Sequence, residues 1–382
     1  MKKTKKRLAA FFMAFLMMAV FIVPMQAVGD ISIENNIGNI AVVYADIIEE
    51  AKQVLYSFYV NDEEFGNRQL IINTVEYIFG LSGEKEFLLA TFVDAGYAII
   101  DLSTGRLAEG SVFAPSPFLH TNGDRFFAGP LNYAIMQRGE MFTTDGQHIP
   151  QESIEMMIEE LATLETNRLM ESYELNLTPF NFPSSRDIAQ WNYVRNMLGV
   201  PRSGGASMHN DGTCGSVGAA MMLAYFQDIL LRPRLVLPIH YWSQFGTDNQ
   251  TLHNELTRFV EMGWPVNGST PGSISRGIND WMSVYVSARP NPISASSSYF
   301  NLPTRVAENI NNNRPVLLTY LDFKYPVGSK GGHVVMAYGY SGGVSSNMFV
   351  RIHCGWRSRP SDNDVIFPLS GANGVVWIDI FN

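Results

Sequence analysis

Two cysteines occur in 382 residues, and one of them stands where a nucleophile could work. Cys214 lies in MHNDGTCGSVGAAMMLAYF, residues 208 to 226, between a loop of Asn, Asp and Gly and a run of small and apolar residues. The run predicts a buried helix that Cys214 opens. A thiol at a helix N-terminus feels the positive end of the helix dipole, which lowers its pKa and favours the thiolate. Free N–H groups of the same turn can hold an oxyanion. The competing readings are an inert small residue and one half of a bridge to Cys354.

A thiolate needs a base, and GSKGGHVVMAYGY supplies one. His333 follows two glycines, which leave room for a substrate, and opens a strand. The next strand is MFVRIHCGW. If SGGVSSN is the hairpin turn between them, Tyr340 pairs with Met348 and His333 falls opposite Gly355. His353 is then on the same face, one diagonal step away, because strand side chains alternate with period two. A second polar group beside the base would orient its ring. The same alternation turns Cys354 away from His353, which argues against a bridge to Cys214.

The other histidines suggest less. His209 could line a cleft near Cys214. His253 reads as a surface residue of an amphipathic helix, and His120 and His240 as loop residues. There is no HExxH, CxxC or EF-hand pattern and no phosphate-binding glycine loop, so neither a metal nor a cofactor is expected.

The elements that must position these residues fall into two groups. DIIEEAKQVLYSFY, residues 46 to 59, has helical apolar spacing and an acidic first turn. LIINTVEYIFG, EFLLATFV and GYAIIDLS follow as three strands separated by turn residues. SVFAPSPF breaks the pattern, and a helix is expected over residues 152 to 165. NLTPFNFPSS, residues 176 to 185, has two prolines and no sustained period and reads as a linker. Beyond it come a short helix in DIAQWNYVRNML, the Cys214 helix, a helix at 251 to 262, a Ser/Gly/Pro-rich region in which SASSSYF reads as a loop, and a helix near 303 to 312. PVLLTYL, HVVMAYGY, MFVRIHC and GVVWIDI are strand-like, so helices precede strands.

The chain opens MKKTKKR and continues LAAFFMAFLMMAVFIV, the layout of a secretory signal peptide; a membrane anchor is the competing reading, for which the run is short against the ~20 residues that span a bilayer. Loss of residues 1 to 27 would remove five basic residues and change the net charge from −9 to −14, 22 basic against 36 acidic side chains. An acidic exported protein is a poor partner for nucleic acid or for anionic membrane surfaces, and no membrane association of the mature form is expected. The expected organisation is a signal peptide at 1–27, a small α+β domain at 28–175, a linker at 176–185 and a second α+β domain at 186–382.

NDGTCGSVGAAMMLAYF, GGHVVMAYGY and FVRIHCGW resemble the papain-like cysteine peptidases, especially the streptopain-like and C39-like bacterial branches, over about residues 186 to 382. YIFGLSGEKEFLLATFVDAGYAIIDLSTG, with SPF and FFAGPLNY, resembles the prodomain of streptopain-type zymogens. The resemblance implies a papain-like catalytic domain, its helical part carrying the Cys and its antiparallel sheet the His, behind a prodomain that acts as an intramolecular inhibitor. It makes Cys214 the nucleophile and His333 the general base and acid. His353 takes the place usually held by Asn. No Gln lies in residues 201 to 213 for the oxyanion hole; Asn210 is the best amide there, and Asp211 the alternative. The implied protein is a secreted zymogen acting on proteins or peptides without a cofactor. A peptidoglycan amidase or endopeptidase with the same Cys–His chemistry is the first alternative. A catalytically impaired secreted binding protein on this fold is the second.

Overall fold

Ile48, Ala51, Val54, Leu55 and Phe58 recur on one face of residues 45 to 59 and are all buried. They make helix α1 (Ala45–Tyr59), at the place its periodicity predicts. The structure is a computed structural model that describes residues 40–59, 69–129, 131, 133–144, 146, 148–151, 185–197, 213–230, 242–243, 246–247, 249–260, 269–286, 293–320, 333–342, 348–355 and 363–381. The chain divides into two compact units, Met1–Val42 and Val43–Asn382. Of the first, residues 40–42 are described, and they are helical. The signal-peptide segment, the expected helix at 152–165 and all but the last residue of the expected linker lie outside the described residues.

The three expected strands form an antiparallel meander of β1 (Ile72–Ile78), β2 (Phe87–Phe92) and β3 (Tyr97–Asp101). A fourth, β4 (Arg106–Ser111), extends it. Its sequence, RLAEGS, gave no strand signal because Glu109 breaks the apolar alternation. That carboxylate is buried and accepts hydrogen bonds from the Tyr97 hydroxyl at 2.7 Å, the Leu131 N–H at 2.6 Å and the Tyr133 hydroxyl. Burying a carboxylate is tolerable only with such partners. A separate antiparallel sheet follows, β5 (Asp124–Phe127), β6 (Tyr133–Gln137), β7 (Glu140–Thr143) and β8 (His148–Ile149). Strands of two to five residues are too short to show a period, so the sequence did not announce them.

The second half opens with β9 (Arg186–Asp187) and α2 (Trp191–Asn196). Helix α3 (Cys214–Tyr225) starts at the predicted cysteine and continues as a π-helical segment, Phe226–Leu230. A small hairpin, β10 (Trp242–Ser243) and β11 (Gly246–Thr247), precedes α4 (Asn249–Val260). The region read as irregular then forms α5 (Pro271–Tyr285) and β12 (Ile293–Ser298). Ile274, Ile278, Trp281 and Met282 give α5 an apolar stripe. Its start is fixed by a capping box between Thr270 and Ser273, with Pro271 in the first turn. SASSS is a strand because β17 pairs it on one side and the Asn279 side chain bonds the Ala295 N–H and C=O, at 2.8 Å each, on the other. Helix α6 (Leu302–Asn311) and strands β13 (Val316–Tyr320), β14 (His333–Ser341), β15 (Phe349–His353), β16 (Val365–Pro368) and β17 (Gly374–Ile380) complete the chain.

These pieces make an α+β protein. The main sheet runs β1-β2-β3-β4-β16-β15-β14-β13-β17-β12, with β9 on β14. It crosses the expected domain boundary through an antiparallel pairing of β4 with β16, Gly110 opposite Ile366. Helix α3 lies against β13 and β14: a side chain added at Gly218 would touch Leu317 and Val334 at 3.1–3.2 Å. All of Gly215 to Tyr225 is buried, which is why this helix is apolar on every side.

Candidate active site

Helix α3 is anchored at two levels, and these levels fix where Cys214 lies. At its C-terminal end the Tyr225 hydroxyl bonds the Asn313 carbonyl at 3.0 Å, just before β13. At Gly218 the helix sits beside Leu317 and Val334. The helix therefore runs antiparallel to β13, and Cys214 lies about 6 Å further along at 1.5 Å per residue. Beyond Leu317 in that direction come Thr319 and Tyr320, and Tyr320 pairs with His333. The fold thus brings Cys214 and His333 to one end of the helix–sheet pair. Cys214 and Gly218 are one turn apart, so the cysteine lies on the sheet-facing side of the helix. It is half-buried, and His333 is buried.

A second helix begins at the same end. A side chain at Gly215 would meet Ser269 Oγ at 2.1 Å, Ser269 Cβ at 2.5 Å and Ile274. A side chain at Gly374, opposite Thr319, would meet Pro271 at 2.4 Å. Glycine at these two positions lets the N-termini of α3 and α5 converge beside the β13–β14 end. Two positive helix ends favour an anion there. Thr213, the residue before α3, makes no side-chain cap. The Ser216 hydroxyl instead donates to the Thr213 carbonyl at 2.9 Å.

The register of β14 with β15 differs from the expected one. Ser341 pairs with Phe349 and Tyr340 with Val350, so the turn falls one residue later than SGGVSSN, which by itself slides the pairing by two residues. A bulge between Ala337 and Gly339 then leaves Met336 opposite His353. The net slip is one residue, and one residue exchanges faces. His353 shares a face with Met336 and Val334, while His333 belongs with Val335 and Ala337. The expected diagonal pair of His333 and His353 is not formed.

His353 is engaged elsewhere. Its Nδ1 accepts the Gly355 N–H at 2.9 Å, so its Nε2 carries the proton and donates to the Met197 carbonyl at 3.0 Å. Burial pushes the ring down to about 4, although the Met197 carbonyl and Asp364 both favour the charged form. The ring is neutral at pH 7 and ties β15 to the end of α2. Cys354 is buried and unbridged to Cys214; its thiol lies 3.7 Å from Asn363 Oδ1. His253, expected at the surface, is buried in α4, and burial lowers its pKa. Asn210, Asp211, His209 and His240 lie outside the described residues.

Sequence reasoning missed a charged centre next to His353. Arg351 is fully buried; its Nε bonds Asp364 at 2.5 Å and a terminal nitrogen bonds Asp187 at 2.5 Å. Its guanidinium lies 4.1 Å from the Trp191 ring centroid. Arg351 beside His353 in a strand-like run was the only signal. Among the described residues no cluster of His, Cys, Asp and Glu could hold a metal ion, and no helix is long and apolar enough to cross a membrane.

No protein-family model matches the chain, and no curated protein matches it. Among solved structures it is similar to a fragment of Prevotella intermedia prointerpain A carrying one Cys-to-Ala substitution. The identity is 13%, the match spans 82% of this chain and 99% of that one, and the TM-score is 0.40. A likeness of that degree assigns neither fold nor function.

Proposed function

We propose that the protein is an exported cysteine peptidase in which Cys214 attacks the carbonyl carbon of a peptide bond. The observation that carries this reading is that Cys214, at the first turn of a buried helix, and His333, at the first residue of β14, lie towards the same end of the helix–sheet pair. In the reaction the thiolate forms a bond to the carbonyl carbon, and the oxyanion is held by first-turn N–H groups. The His333 imidazolium gives its proton to the leaving amine, leaving an acyl-enzyme. His333 then takes a proton from water, which attacks the thioester, and the carboxylic acid leaves as Cys214 is restored. Strand alternation sets His333 off the helix face, so proton exchange requires its ring to turn round the strand end towards Cys214. Asn210 is the side chain proposed to assist the oxyanion. His353 takes no proton in this scheme and positions β15.

Secretion and synthesis as a zymogen belong to the same proposal, resting on the basic-then-apolar leader and the resemblance of the first domain to a prodomain. The expected cut lies near residues 165 to 190. The proposal includes that cut but no blockage of Cys214 by residues 45–151. Residues 28–382 should hydrolyse casein or its peptides, and Cys214→Ala should lower the rate at least about 10³-fold with folding unchanged. Hydrolysis that survives Cys214→Ala would refute the proposal. Turnover of purified cell wall but not casein would move the substrate to a wall amide with the same chemistry.

A further inference from the structure

We infer that residues 45–151 are a permanent subunit of the enzyme: after the chain is cut they stay bound, and they leave Cys214 open. The inference takes from the proposed function only the expected cut near residues 165 to 190.

Three kinds of contact bind the two halves. The first is the sheet itself, which passes from β4 to β16. Without β4, the edge of β16 would be bare in the middle of an eleven-stranded sheet, with open N–H and C=O groups beside apolar side chains. The second is a shared interior. One contiguous apolar cluster includes Ile78, Leu89, Ile99 and Phe118 of the first half together with Val194, Met221, Val350 and Phe367 of the second. A detachable domain keeps its core to itself, whereas here the large cluster spans the expected cut and only a small one, Phe126, Ala134, Met141 and Ile149, lies wholly in the first half. The third is a stack of rings and cations. Phe113 lies on Trp191 with centroids 6.0 Å apart and planes 25° apart, and the Arg195 guanidinium covers both rings at 4.4 and 4.9 Å. Trp191 in turn covers the buried Arg351. Removing Phe113 would bare the ring that shields a desolvated charge. The Ser57 and Ser341 hydroxyls add a hydrogen bond of 2.7 Å.

These contacts share one place in the molecule. Gly110, Ile366, Arg351 and Gly339 form a row across the sheet by successive pairing. Gly339 is six residues from His333, roughly 20 Å at 3.3 Å per strand residue. Trp191 belongs to the same region, since α2 meets the C-terminal part of α3 through the bond from the Tyr225 hydroxyl to Gln190 at 3.1 Å. The first half is therefore seated at the end of α3 and β14 opposite to Cys214 and His333. A domain placed there supports the sheet and does not plug the site.

The test is a cut made from outside. A ten-residue insert carrying a site-specific protease sequence is placed after residue 170 of the Cys214→Ala chain, and cleavage is confirmed by mass. The two pieces should co-elute one to one on gel filtration at 0.5 M salt. Separation of the pieces overturns the inference. Because Cys214 is absent, this result does not depend on the protein being a peptidase. In the chain that keeps Cys214, the rate of its alkylation by iodoacetamide should change less than twofold on cutting. A rise of tenfold or more means that the first half covered the thiol, and also overturns the inference. Phe113→Ala in the cut chain should speed loss of the N-terminal piece on dilution; an unchanged rate removes the ring stack from the account.

Discussion

The two ends of β14 are built for different work. At the Ser341 end the neighbours are charged and ion-paired: Arg351 holds Asp187 and Asp364, Trp191 covers it, and the first half of the chain closes over the group. At the His333 end the neighbours are glycines and helix starts, Gly215, Gly374, Pro271 and the half-buried Cys214. Close approach of backbone replaces ion pairing there. The difference teaches that this fold concentrates its specificity of packing at one end and leaves the other with donors, dipoles and a thiol. Damage at the first end should appear as lost stability, and damage at the second as lost activity.

Arg351→Met should give the largest stability effect. It leaves the buried Asp364 and the half-buried Asp187 without their cation, and removing one partner of a buried pair costs about 3–5 kcal/mol. Urea unfolding should show that loss, while Cys214 alkylation in the protein that stays folded changes little. Equal losses in both would erase the distinction between the ends. Gly215→Ala should do the reverse. The added methyl drives Ser269 and the start of α5 away, an overpacking cost of about 1–3 kcal/mol. Hydrolysis should fall at least about tenfold through misplacement of the first turn, a larger fractional effect on activity than Arg351→Met produces.

A smaller effect comes from pH. The His353 ring is held down at about 4 by burial in the folded chain, against an ordinary value near 6.5. The unfolded chain therefore binds its proton first as pH falls. No stability difference arises above about pH 6.5, and stability is lost progressively between there and pH 4. Unfolding midpoints at pH 7.0, 5.5 and 4.5 should fall in that order. His353→Gln should cost about 1–3 kcal/mol at pH 7 through lost buried hydrogen bonds and should flatten part of the slope. A variant with the full wild-type slope would place the acid sensitivity elsewhere.

What was legible in the sequence follows from the same contrast. The start of α3 could be read because Asn, Asp and Gly give way at once to small apolar residues, and β14 because its run is long. Helix α5 was hidden by its serines, glycines and proline, although Thr270, Pro271 and Ser273 spell a capping box. The role of His353 could not be read, since it depends on a bulge beside Gly339 and on where the turn falls. The turn moves the register by two residues and the bulge takes one back, and neither leaves a mark in hydrophobic pattern. The continuity of β4 with β16 was invisible for a similar reason. A strand pairing between segments more than 250 residues apart has no local signature.

The most direct measurement is the rate of Cys214 alkylation by iodoacetamide from pH 5 to 9, in the wild-type chain and in His333→Ala. An ion pair of thiolate and imidazolium predicts rapid labelling already at pH 6 to 7, with the advantage lost in His333→Ala. Slow labelling in both proteins, rising only near the ordinary thiol pKa of about 8.5, would contradict the assignment of Cys214 and His333 as the reacting pair.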